Sequence, residues 1–103
     1  MISIVYSTMA NLEEARTIAY DLVDSHLVAC VNIIPRIESV YRWQGKIEQD
    51  KEVLLLAKTT EKKVQQTITK IKQLHSYEVP DIVSFPLTTG LKDYLAYVED
   101  ETQ

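Results

Sequence analysis

The chain has 103 residues, 46% hydrophobic and 25% charged, with a formal net charge of -4. That size and apolar content suit a single packed domain over residues 1–103 and leave no material for a second core. Its Lys and Arg are scattered, with one loose group at Lys62, Lys63, Lys70 and Lys72, which argues against nucleic-acid binding, since that needs a concentrated basic face to neutralise phosphates.

Cys30 is the only cysteine, so no disulfide framework of the secreted kind is expected. The opening Met1-Ile2-Ser3-Ile4-Val5-Tyr6 lacks the basic and long apolar regions of a signal peptide. No stretch approaches the roughly 20 apolar residues of a membrane span. A soluble, cytoplasmic protein with no membrane contact is the expectation.

Ile2 to Thr8 is an apolar, β-branched run and predicts a strand. Asn11 and Glu14 form a capping box, in which Asn11 accepts the Glu14 amide and Glu14 reaches back to the Asn11 amide. Leu12, Ala15, Ile18, Ala19, Leu22 and His26 recur at helical spacing and predict a helix over 12–26, with His26 on its inner side. Val28 to Tyr41 is β-rich but contains Pro35. Proline cannot donate to a ladder, so a long, bent edge strand is expected. Arg42 to Lys46 contains Gly45 and reads as a hairpin tip, with a second long strand following over 47–59.

Thr60 is placed to cap a second helix, traced by Val64, Thr67, Ile68, Ile71 and then Leu74 or His75. Ile82 to Leu87 predicts a fourth strand, limited by Pro86 to an edge or terminus. Leu91, Tyr94, Leu95 and Val98 give a short last helix. Glu99-Asp100-Glu101 puts negative charge at the negative end of its dipole, so fraying is expected there. The order β-α-β-β-α-β plus a C-terminal helix is that of the ferredoxin-like α+β fold, a two-layer sandwich with a four-stranded antiparallel sheet.

Such a sheet is covered on one face only, and its open face should be polar at alternate positions. Here Val53, Leu55 and Ala57 oppose Leu54 and Leu56. Val83, Phe85 and Leu87 oppose Ile82, Ser84 and Pro86. Val31 and Ile33 oppose Cys30, Asn32 and Ile34. Both faces carry apolar side chains, and one short helix is little cover for the second, so association between copies is expected.

Five segments then resemble the CutA divalent-cation-tolerance family, in family order: 27–35, 39–47, 52–60, 74–82 and 90–95. The resemblance implies a ferredoxin-like homotrimer whose long hairpins extend sheets between subunits, a link to copper and other divalent cations, and kinship of shape with PII-type signalling trimers. It implies no catalytic reaction. The chain departs from the family where Ser76 replaces a usual proline and Tyr97 a common tryptophan. Ser7 stands where some members have a copper-linked cysteine, and Leu74 where some have a second histidine.

Two residues are candidate metal ligands. Cys30 offers a soft donor suited to copper; its alternative role is a small buried strand residue. His75 offers a neutral imidazole nitrogen; its alternative is a favourable charge at a helix C-terminus. No CxxC or HxxxH spacing is present, so a site for Cu2+ or another divalent cation either draws ligands from several subunits or binds weakly. Two aromatic and two charged residues at family-motif positions, Trp43, Tyr77, Lys58 and Glu78, are candidates to line an inter-subunit cleft for a small anion or metabolite; the alternative is interface packing with rim charges.

Three functions stay in view. The first is a trimeric cation-binding protein. The second is a PII-like scaffold or signalling trimer, against which the short hairpin tip counts. An enzyme comes last, because the only glycines, Gly45 and Gly90, make no phosphate-cradling loop and no local catalytic motif appears.

Overall fold

A computed structural model describes residues 1–103. The elements are β1 (Ile2–Met9), α1 (Leu12–Asp24), β2 (Cys30–Trp43), β3 (Lys46–Thr60), a 3-10 turn (Glu61–Lys63), α2 (Val64–Leu74), β4 (Ile82–Pro86) and α3 (Lys92–Glu101). The four strands form one sheet in the order β2-β3-β1-β4, with every neighbouring pair antiparallel. This is the expected ferredoxin-like arrangement.

Side-chain alternation sorts the sheet into two faces. Val5 and Met9 of β1 and Val53, Leu55 and Ala57 of β3 point towards α1 and α2. There they meet Ala15, Ile18, Leu22 and Ile71 in the main core. The helices show the apolar stripe that the spacing predicts, with Ala15, Ile18, Ala19 and Leu22 buried on α1. α3 packs a smaller cluster over one end of the opposite face, where Val98 meets Ile2 and Ala29.

The rest of that second face is open. Val83 is 51% exposed, Phe85 45% and Ile34 42%, and Leu54 and Leu56 beside them are half-buried. α3 therefore does not cover the face by itself, as the doubled apolar pattern anticipates.

The β2–β3 hairpin is the longest feature, in a molecule 44 Å along its major axis. Its tip is a two-residue turn between the paired Trp43 and Lys46. Gln44 and Gly45 both take positive φ, 49° and 80°, the pattern whose twist matches antiparallel strands. The ladder slips between Ile34 and Ile37. Pro35 and Arg36 together oppose a single residue, so this is a β-bulge. Before it, Cys30, Asn32 and Ile34 lie on the open face. Beyond it Ile37, Ser39, Tyr41 and Trp43 do.

Three local expectations are corrected. α1 stops at Asp24, and His26 lies beyond the Ser25 cap with φ 61°. His26 is exposed, not on the inner face of the helix; its Nδ1 lies 3.1 Å from the Glu101 carbonyl. That contact and the buried Thr102, whose hydroxyl donates to the Val98 carbonyl at 2.8 Å, tie down the end of α3 that charge alone would fray. Finally, Asn11 does accept the Glu14 amide at 2.8 Å, but the Glu14 carboxylate turns away from Asn11 towards His75.

Candidate functional site

The hairpin arm, the end of β1 and the loop after α2 enclose a groove of about 710 Å³. Alternation past the bulge brings Ile37, Ser39, Tyr41 and Trp43 of β2 onto the same side as Asp50 and Glu52 of β3. Tyr6 and Thr8 form the floor, while Tyr77, Glu78, Val79 and Asp81 make the far wall.

The lining includes Glu38, Asp50, Glu52, Glu78 and Asp81, and no Lys, Arg or His. None of the five carboxylates has an ion-pair partner in the chain. Two hold tyrosine hydroxyls instead. Tyr77 donates to Glu52 Oε2 at 2.8 Å, and Tyr41 donates to Asp50. Glu52 is only 8% exposed.

Burial and the groove's carboxylates together shift its titrating groups. The hydrogen bond to Asp50, more than any other cause, pushes the exposed Tyr41 phenol up to about 12. Burial and then the Glu52 bond raise Tyr77 further. Burial, followed by the charge of Glu52, raises the Asp81 carboxyl. A carboxyl raised in the fold disfavours folding when ionised, and stability returns as pH falls through the raised value. Asp81→Asn should therefore stabilise the fold at neutral pH. The gain should stay under about 1 kcal/mol, because solvent screens this site. Urea midpoints should differ between wild type and variant at pH 7 and converge near pH 3, below both protonation steps.

Three of the four residues expected in a cleft, Trp43, Tyr77 and Glu78, line this groove. Lys58 does not. It lies towards the opposite end of β3, paired with Cys30 and Ile4, with its Nζ 5.3 Å from the Tyr94 ring centre. Cys30 is half-buried there, its thiol 3.9 Å from Asn32 Oδ1. The neighbouring Tyr94 phenol is raised chiefly by burial and then by Cys30, while Lys58 acts in the lowering direction.

His75 is at the other end of β1. The chain turns it inward and leaves Leu74 38% exposed. Its side chain is fully buried. Nε2 lies 2.8 Å from the Thr8 carbonyl, and Nδ1 accepts the Tyr77 amide at 3.1 Å. The neutral ring with its proton on Nε2 satisfies both bonds and has no lone pair left for a metal. His75 and Cys30 are thus not brought together within one chain. No group of three or more His, Cys, Asp or Glu side chains stands close enough to hold a metal ion.

The sequence reading missed Glu38, Asp50, Glu52 and Asp81. One signal was available: Glu48, Asp50 and Glu52 repeat every second residue on a strand and so share a face.

Comparison with known proteins follows the same lines. The family model described as CutA1 divalent ion tolerance protein matches residues 3–101. The chain is 44% identical over 102 residues to the divalent-cation tolerance protein CutA of Thermus thermophilus, covering 99% of each. The solved Thermus structure superposes with a TM-score of 0.96 over 100% of both chains. That of the periplasmic divalent cation tolerance protein CutA from Archaeoglobus fulgidus, 37% identical, gives 0.97 over 100% of both. The chloroplastic CutA protein of Arabidopsis thaliana is 38% identical over 100 residues, and the chain spans 55% of that relative's length.

Proposed function

This chain belongs to the CutA1 divalent ion tolerance family, and on that premise we propose that it binds divalent cations, copper among them, in the acidic grooves of a homotrimer. The observation that carries the reading is the groove's five carboxylates with no ion-pair partner. Carboxylate oxygens suit hard divalent ions, and copper accepts oxygen donors when geometry provides them. Asp50, Glu52 and Asp81 are the proposed donors. Because no full ligand set converges in one chain, a neighbouring copy on the open sheet face supplies the remainder. Cys30 is at most a separate soft donor, beside the opposing charge of Lys58.

The protein acts here by binding and not by catalysis. We place it in the cytoplasm, where a lone cysteine stays reduced; no helix of the chain is long and apolar enough to cross a membrane.

Copper titration tests the assignment. Trp43, the only tryptophan, lines the groove, so Cu2+ bound there should quench its fluorescence. The Glu52→Gln and Asp50→Asn variants should each bind at least about tenfold more weakly, a loss of about 1.4 kcal/mol. Cys30→Ala and His75→Ala should change the affinity much less. Equal affinity in wild type and both carboxylate variants would remove the groove from the reading.

A further inference from the structure

We infer that His75 and Glu14 form a proton-operated latch on the loop that walls the groove. The contacts involved lie within one chain and need no metal. His75 ends α2, and residues 75–81 run from it along the groove's far side to β4. This loop is tethered at two points. The Tyr77 amide donates to His75 Nδ1, and the Tyr77 hydroxyl donates to Glu52.

The first tether exists only while Nδ1 carries no proton. Glu14 stands next to it, with Oε2 3.7 Å from Nδ1. That oxygen is buried and has no hydrogen-bond partner. A buried carboxylate oxygen without a donor is a destabilising arrangement that native proteins seldom keep. A proton on Nδ1 supplies the donor, and a charge-assisted bond to Glu14 forms with a small ring movement. The Tyr77 amide then faces an N–H instead of a lone pair and is expelled. Nε2 keeps its bond to the Thr8 carbonyl in both states, so the ring pivots without leaving its pocket.

The surroundings offer no competing ionic partner. Glu14 is the charged group that α1 presents to the ring, and it makes the ring's one ion-pair contact. β1 presents the Thr8 carbonyl. The loop presents Tyr77, its ring centre 4.7 Å away, and β3 presents Glu52 behind the Tyr77 hydroxyl. Along α2 itself, the neighbouring Lys72 contributes its backbone carbonyl to the His75 amide. Protonation thus exchanges a backbone tether for an ion pair and loosens one wall of the groove, which the Tyr77 hydroxyl still holds to Glu52.

Amide hydrogen exchange and NMR of the imidazole, on the full metal-free chain between about pH 8 and pH 5, read the latch directly. The Tyr77 amide should lose protection at least about tenfold relative to the Leu55 amide in the sheet core, in step with the His75 ring resonances. Glu14→Gln keeps the size of the side chain but removes its charge, so the midpoint of release should move to lower pH. Tyr77 protection that stays flat with pH overturns the latch. So does loss of Leu55 protection at the same midpoint, which marks general acid unfolding, or a midpoint that Glu14→Gln leaves in place.

Discussion

Changing Val83 and Phe85 together to glutamate should leave a folded chain that no longer self-associates. Both side chains project from β4 onto the uncovered face, at 51% and 45% exposure. They flank Tyr6 and Ile4 of β1, with Leu54 and Leu56 one strand further. Each apolar side chain of this size contributes about 1.5–3 kcal/mol when fully removed from water, and this face holds several. Two carboxylates placed there lose that gain and bring charges whose burial costs several kcal/mol each, by order of magnitude. The isolated fold has little to lose, because neither side chain belongs to a core cluster. Sedimentation at micromolar concentration should show a trimer for the parent chain and a monomer for the variant, with the same far-ultraviolet circular dichroism. An unchanged sedimentation coefficient for the variant would move the interface elsewhere. A monomeric parent would remove the association, and with it the completed cation sites.

Leu55→Ala should have the opposite profile: a large loss of stability with no charge introduced on the open face. Leu55 sits in β3, one of the two central strands, is 0% exposed, and points into the main core. Truncation removes its transfer free energy and leaves a cavity that strands on both sides prevent from collapsing. A cost of about 3 kcal/mol follows, within the range of about 2–5 for buried leucines. Against a net stability of roughly 5–15 kcal/mol for a domain, that is a substantial fraction. It should appear as a lower urea midpoint with an unchanged slope. A loss below about 1 kcal/mol would mean that the site repacks and that the two-layer core is looser than its burial indicates.

Much of this architecture is legible in the residues. Period-two alternation, Gly45 at the tip and Pro35 in the edge strand foretell the bent hairpin, and apolar spacing foretells both core-facing helices. The groove is harder to read, for a physical reason. Its walls come from β1, the hairpin arm and the loop after α2, so its charge becomes visible only when distant segments meet. The bulge adds to the difficulty, since one extra residue changes which side of the arm Tyr41 and Trp43 occupy. Lys58 belongs to a recognisable segment but lies too far along its strand to reach the groove. His75 presents a different problem. A histidine at a helix end looks the same in sequence whether it turns outward to solvent or inward to Thr8, and only the latter leaves it without a free nitrogen.

The slip at Pro35 and Arg36 also makes sidedness a matter of counting. Substitutions at those two positions preserve the tally, while removal of either one leaves Val53 facing a single residue, so that plain alternation runs from Ile34 to Ile37 and the outer pairs are kept. Ser39, Tyr41 and Trp43 would stay opposite Asp50, Glu48 and Lys46, and what would go is the local kink and added twist that a surplus residue gives a strand. The surplus residue thus sets the bend and aim of the arm, while the pairing with β3 sets which side chains face the groove.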